Sequence, residues 1–132
     1  MNEGKFSTFW CVDTQLQSYL KQLGLNFRNI PDTTAVNLMR CEYLIAKDGS
    51  IMLSSDQTDG RHLLEFSNTF IIVAISPQIV SDIDEALQKI KASKGYRIPR
   101  NITTIKGYDP AYFQSPSQIK DIYLLLSDYD EN

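Results

Sequence analysis

Apolar residues recur along this chain with two different periods, and each period marks a kind of element. Leu16, Tyr19, Leu20 and Leu23 stand at i, i+3, i+4 and i+7, which forms one stripe of a helix. Asp13 precedes them and can accept from the unpaired N–H groups of the first turn. The spacing predicts a helix over 14–23 that Gly24 stops. Residues 5–12, rich in aromatic and β-branched side chains, predict a strand before it, and 25–31 reads as a connection. Asp32 or Thr33 could cap a short helix over 35–39.

The middle of the chain reads as strands. Residues 42–46 and 50–54 flank Lys47-Asp48-Gly49, and Asp-Gly favours the tight reversal of a β-hairpin. A polar loop over 55–60 follows, then expected strands over 61–66 and 69–75. Phe70 to Ile75 is apolar without alternation, the mark of a strand covered on both faces. Ser76-Pro77 then opens an expected long helix, with Ile79, Val80, Ile83, Ala86, Leu87 and Ile90 on one face and Gly95 as its stop. Residues 98–105 predict another strand, irregular at Pro99. A last helix is expected from Ser115-Pro116, with Ser115 and Gln118 as a capping box and Ile119, Ile122, Tyr123 and Leu126 as its buried face. The pattern describes an α+β fold in one domain over 1–127. Its sheet would be mixed or mostly antiparallel with five to six strands, and two to three amphipathic helices would pack mainly on one face. Residues 128–132 form an acidic tail expected to fray.

At 132 residues, with 42% hydrophobic and 22% charged side chains, the chain can bury a core without metal or disulfide staples. No apolar run approaches the length of a membrane span, and the opening MNEGKFSTFW has no apolar signal region, so a cytoplasmic protein is expected. Cys11 and Cys41 lie among apolar neighbours and outside any CxxC spacing, which predicts two reduced, buried thiols.

Catalytic and cofactor chemistry finds little support. His62 is the one histidine, and no Gly-x-Ser-x-Gly turn presents a nucleophile to it. A small hydrolase would need His62 to meet Asp56 or Asp59 in a pocket. One histidine and two distant cysteines do not make a zinc set. The stretch Asp56 to Gly60 lacks the acids of a calcium loop. The six glycines are spread singly, so no phosphate cradle can be drawn. The expectation is neither an enzyme nor a cofactor or metal protein.

Charge is distributed in blocks. Residues 89–106 hold Lys89, Lys91, Lys94, Arg97, Arg100 and Lys106 with no acid, and Tyr96 lies among them. Such a segment could grip phosphates and stack a base, which is the nucleic-acid alternative. Lysines at a helix C-terminus are what the helix dipole favours, and a solvated or internally paired face is the stronger reading of this segment. The rest of the chain is acidic, and the whole carries a net charge of -3. Asp56, Asp59, Glu65, Asp82, Asp84, Glu85, Asp128, Asp130 and Glu131 could present carboxylates to a basic protein. Tyr108, Tyr112 and Phe113 could anchor such a contact. The leading expectation is therefore a stoichiometric inhibitor of the toxin-immunity type, bound to a basic, nuclease-like protein. Oligomeric state is open; an edge strand offers one route to pairing across a two-fold axis.

Overall fold

The computed structural model describes residues 8–94, 99, 101–107 and 120–128. Among these, five parallel strands form the main sheet, in the order β2-β1-β3-β6-β9. They are β1 (Thr8–Trp10), β2 (Asn26–Arg28), β3 (Val36–Arg40), β6 (Thr69–Ile75) and β9 (Asp121–Ser127). A second sheet, ordered β7-β4-β5-β8, is built from β4 (Tyr43–Ile45), β5 (Ser50–Leu53), β7 (Ile79–Val80) and β8 (Thr103–Ile105). In that sheet β5 runs antiparallel to β4 and β8, while β7 is parallel to β4. The helices are α1 (Thr14–Gln22), α2 (Ser55–Thr58) and α3 (Ile83–Lys94).

The burial pattern stacks these elements in four layers. Leu16 and Leu20 of α1 pack on Phe9, Val36 and Leu38 of one sheet face, together with Ile71 and Val73. The opposite face brings Trp10, Met39, Phe70 and Ile72 against Leu44, Ile51, Leu53 and Ile105 of the second sheet. The outer face of that sheet buries Ile45, Met52 and Val80 against Ala86 and Ile90 of α3. Strand β6 is thus covered on both sides, as its unbroken apolar run predicts. Truncating a residue such as Ile72 would cost about 2–5 kcal/mol, because no water can fill the apolar gap.

The expected fold class is corrected. The main sheet is entirely parallel, an α/β arrangement of the Rossmann-like kind, and the helices lie on the outer faces of two sheets instead of on one face. Four local differences account for this. Asp32 does not cap a helix: its Oδ1 accepts from the Thr34 N–H and hydroxyl, both at 2.8 Å, which makes a turn into β3. Residues 26–28, read as a connection, form β2, and α1 is the crossover that makes β1 and β2 parallel. Residues 61–66 give a short 3-10 turn at Leu63–Glu65 in place of a strand. Residues 121–127 form a strand in place of a helix, in register with β6 from Thr69↔Asp121 to Ile75↔Ser127. Ser115, Gln118 and Ile119, the expected start of that helix, lie outside the described residues.

Other expectations match the structure. Asp13 caps α1 through a 3.0 Å bond from the Leu16 N–H, and Gly24 follows with φ +72°. Residues 43–53 form the expected hairpin. The long helix starts later than expected, at Ile83, and the Asp82 carboxylate accepts from the Glu85 N–H at its first turn.

Candidate functional site

Open parallel sheets bind ligands beyond the C-terminal ends of their strands, where the strand order reverses. Here that point lies between β1 and β3, since α1 carries the chain to β2 on one side while β3 sits on the other. A depression of about 260 Å³ is found there, lined by Val12, Asp13, Met39, Arg40, Asp56 and Gln57. Its polar groups are already paired with one another. Asp13 receives Arg40 Nε at 3.0 Å on the oxygen that does not cap α1, and Arg40 Nη2 donates to Gln15 Oε1 at 2.6 Å. Behind it, the buried Glu42 carboxylate accepts from Ser54 Oγ at 2.7 Å and Gln57 Nε2 at 3.1 Å. A dinucleotide does not fit the turn at Cys11-Val12-Asp13. The turn has no glycine to admit a pyrophosphate, and a carboxylate stands at the helix N-terminus where phosphate charge would lie.

A larger cavity of about 390 Å³ opens on the other side of α2. Thr58, Gly60, Arg61, His62 and Leu63 line one wall, and Asn101, Ile102 and Thr103 the other. The first wall is shaped by the end of α2. Ser54 and Gln57 form a capping box at its start, and Asp59 at φ 57° with Gly60 at φ +72° turns the chain back. Glu65 then fixes the segment, accepting the His62 N–H at 3.0 Å and pairing with Arg61 at 3.4 Å. The second wall hangs on β8, which is held by the pairs Leu53↔Thr103 and Ile51↔Ile105. Asn101 enters it at φ 56°, a left-handed conformation that asparagine tolerates and most residues avoid. Such backbone is concentrated where a side chain must be aimed.

The cavity differs from the depression in what its walls leave unused. The His62 imidazole, the Asn101 amide and the Thr103 hydroxyl bond to no other group among the described residues. Arg61 commits one nitrogen to a long contact with Glu65 and is otherwise available. Among the described residues, no carboxylate lines this cavity. A guanidinium with hydrogen-bonding groups around it suits a small carboxylate anion, because Arg donors match two carboxylate oxygens.

The family model of the LUD domain matches residues 13–129. The chain belongs to that family. The LUD domain family is associated with lactate utilisation, which overturns the toxin-immunity reading. No curated protein and no solved structure matches the chain.

In this LUD domain three of the nine carboxylates expected to dock a basic protein, Glu65, Asp82 and Glu85, bond within the chain. Glu65 holds Arg61 and the His62 backbone, and Asp82 caps α3. Glu85 accepts the Ser81 N–H at 2.8 Å, bonds that hold its carboxyl below the usual range. Asp59 ends α2, Asp56 lines the depression, and Asp84 and Asp128 are exposed. Tyr108, Tyr112, Phe113, Asp130 and Glu131 lie outside the described residues. So do Tyr96, Arg97 and Arg100 of the basic segment. Lys89 pairs with Glu85 at 3.7 Å, Lys91 is exposed, Lys94 closes α3, and Lys106 follows β8.

His62 does line a cavity, but neither Asp56 nor Asp59 joins it there. Both thiols are free and buried away from it, Cys11 under α1 and Cys41 between the sheets. Burial pushes Cys11 up to about 11 and Cys41 to about 12, so both stay protonated at neutral pH. Among the described residues, no group of three or more His, Cys, Asp or Glu could hold a metal, and no helix is long and apolar enough to cross a membrane. Sequence reasoning missed Thr58, Arg61, Asn101 and Thr103. Their convergence depends on β8 pairing with β5 some 50 residues earlier, and no local pattern carries that.

Proposed function

We propose that this LUD domain binds a small hydroxycarboxylate of the lactate class in the cavity between α2 and β8. The observation that carries this reading is the convergence of Arg61, His62, Asn101 and Thr103 on one concave surface, where the His62, Asn101 and Thr103 side chains bond to no other group among the described residues and Arg61 is held by one long contact to Glu65. Arg61 takes the carboxylate, and Asn101, Thr103 and His62 serve the hydroxyl or keto oxygen beside it. The family's association with lactate utilisation supports the choice of ligand. In this reading the chain binds and orients the anion; any oxidation of it draws on an acceptor from elsewhere. A cytoplasmic location goes with the reading, and two free, buried thiols support it.

Isothermal titration with L-lactate tests the proposal. Binding should be saturable, and Arg61→Ala should weaken it at least ~10-fold, since a charge-assisted bidentate contact is worth about 1.5–3 kcal/mol. Equal affinity in wild type and Arg61→Ala, or no binding in either, overturns it.

A further inference from the structure

The cavity between α2 and β8 has two chemistries, and lactate would use only one of them. On each wall an apolar residue stands beside the polar ones. Leu63 follows Arg61 and His62, and Ile102 lies between Asn101 and Thr103. Both apolar residues are half-buried. Leu63 packs against the core between the two sheets, and Ile102 against the core beneath α3. Each is thus seated on a different core while it also lines the cavity. Thr58 is buried at the same wall, and its hydroxyl donates to the Ser54 carbonyl at 3.1 Å, so its donor is spent inside the protein.

Size points the same way. The cavity holds about 390 Å³, which falls in the range of ~300–1,000 Å³ typical of pockets that enclose drug-sized ligands. Lactate carries a single methyl group beyond its polar carbons. It would leave much of that volume, and both apolar side chains, to water. Hydrocarbon that displaced this water would gain ~4-fold in affinity for each carbon fully buried. Polar and apolar groups on one concave surface select a ligand with a polar head and an apolar tail. Resting on the reading that this cavity binds a hydroxycarboxylate, we propose that its preferred ligand is a 2-hydroxycarboxylate whose aliphatic tail is longer than lactate's methyl group. Leu63 and Ile102 are the residues that select the tail. Arg61 takes the carboxylate and Asn101, Thr103 and His62 the 2-hydroxyl, as for lactate, and the tail lies against the two apolar side chains.

Isothermal titration with L-lactate and the L-2-hydroxy acids of butyrate, pentanoate and hexanoate tests this. Affinity should climb along the series, reaching at least ~10-fold over lactate at the longest acid, and the heat capacity change of binding should grow more negative. Leu63→Ala and Ile102→Ala, each checked for an intact thermal transition, should flatten the climb while keeping lactate within ~2-fold of wild type. The wild-type series stands without either variant. A flat or falling series in which lactate still binds overturns this inference and leaves the lactate reading standing. A climb that neither alanine variant flattens overturns the assignment of Leu63 and Ile102. Absence of binding by every acid, lactate included, overturns both readings.

Discussion

The depression between β1 and β3 and the cavity between α2 and β8 share one short helix as a wall, yet their chemistry is opposite. At the first, where the fold would place a ligand, Asp13, Arg40 and Gln15 spend their hydrogen bonds on each other, and Glu42, Ser54 and Gln57 do the same behind them. At the second, away from the strand ends, the His62, Asn101 and Thr103 side chains bond to no other group among the described residues. A polar group bonded inside the protein contributes stability and has little left for a ligand. An unbonded one at a cavity wall contributes little to stability and much to recognition. The proposed function follows the inventory of unused donors and acceptors and not position in the fold.

That contrast can be broken by substitution. The largest effect should come from Ser54→Ala, which strips a hydroxyl donor from the buried Glu42 carboxylate and the cap from α2. Urea unfolding should show a loss of about 2–3 kcal/mol. Arg40→Ala should cost about 1 kcal/mol of stability, since the Arg40–Asp13 pair is partly exposed, and leave lactate affinity within two-fold. Asn101→Gly keeps the left-handed backbone while removing the amide. It should shift stability by less than about 0.5 kcal/mol but weaken lactate several-fold in titration calorimetry. The smallest effect concerns the thiols beside the depression. Their folded pKa values, about 11 and about 12, lie above the ordinary 9.0, so the unfolded chain loses protons first as pH rises. The thiol contribution to stability should be intact below pH 9 and fall as pH climbs through the values cited. A thiol reagent at pH 8 should label neither cysteine until the protein is unfolded.

Elements whose signal is local were legible in the sequence. Asp13 with the Leu16–Leu20 stripe, Asp48-Gly49 and the run from Phe70 to Ile75 each carry enough information within ten residues. The parallel sheet was not, because its partners are set by crossovers. β3 reads Val-Asn-Leu-Met-Arg, and its polar Asn37 is acceptable only because Nδ2 finds the Ser67 and Thr69 carbonyls 30 or more residues away. β9 carries apolar residues at both spacings: Ile122, Tyr123 and Leu126 suit a helix, and the run Ile122 to Leu126 suits a strand. Pairing with β6 decides between them. The cavity was half legible. His62 stood out as the lone histidine, but Arg61 was only one more basic residue, and nothing near Asn101 announces its left-handed turn.

The claim on which the functional account rests is that ligand recognition lies at the second site and not the first. Backbone amide NMR during titration with L-lactate reads both sites in one experiment. Shifts confined to residues 58–63 and 101–103, with Val12, Asp13 and Arg40 unmoved, are the result expected. Shifts centred on Val12, Asp13 and Arg40 with residues 101–103 silent would contradict it.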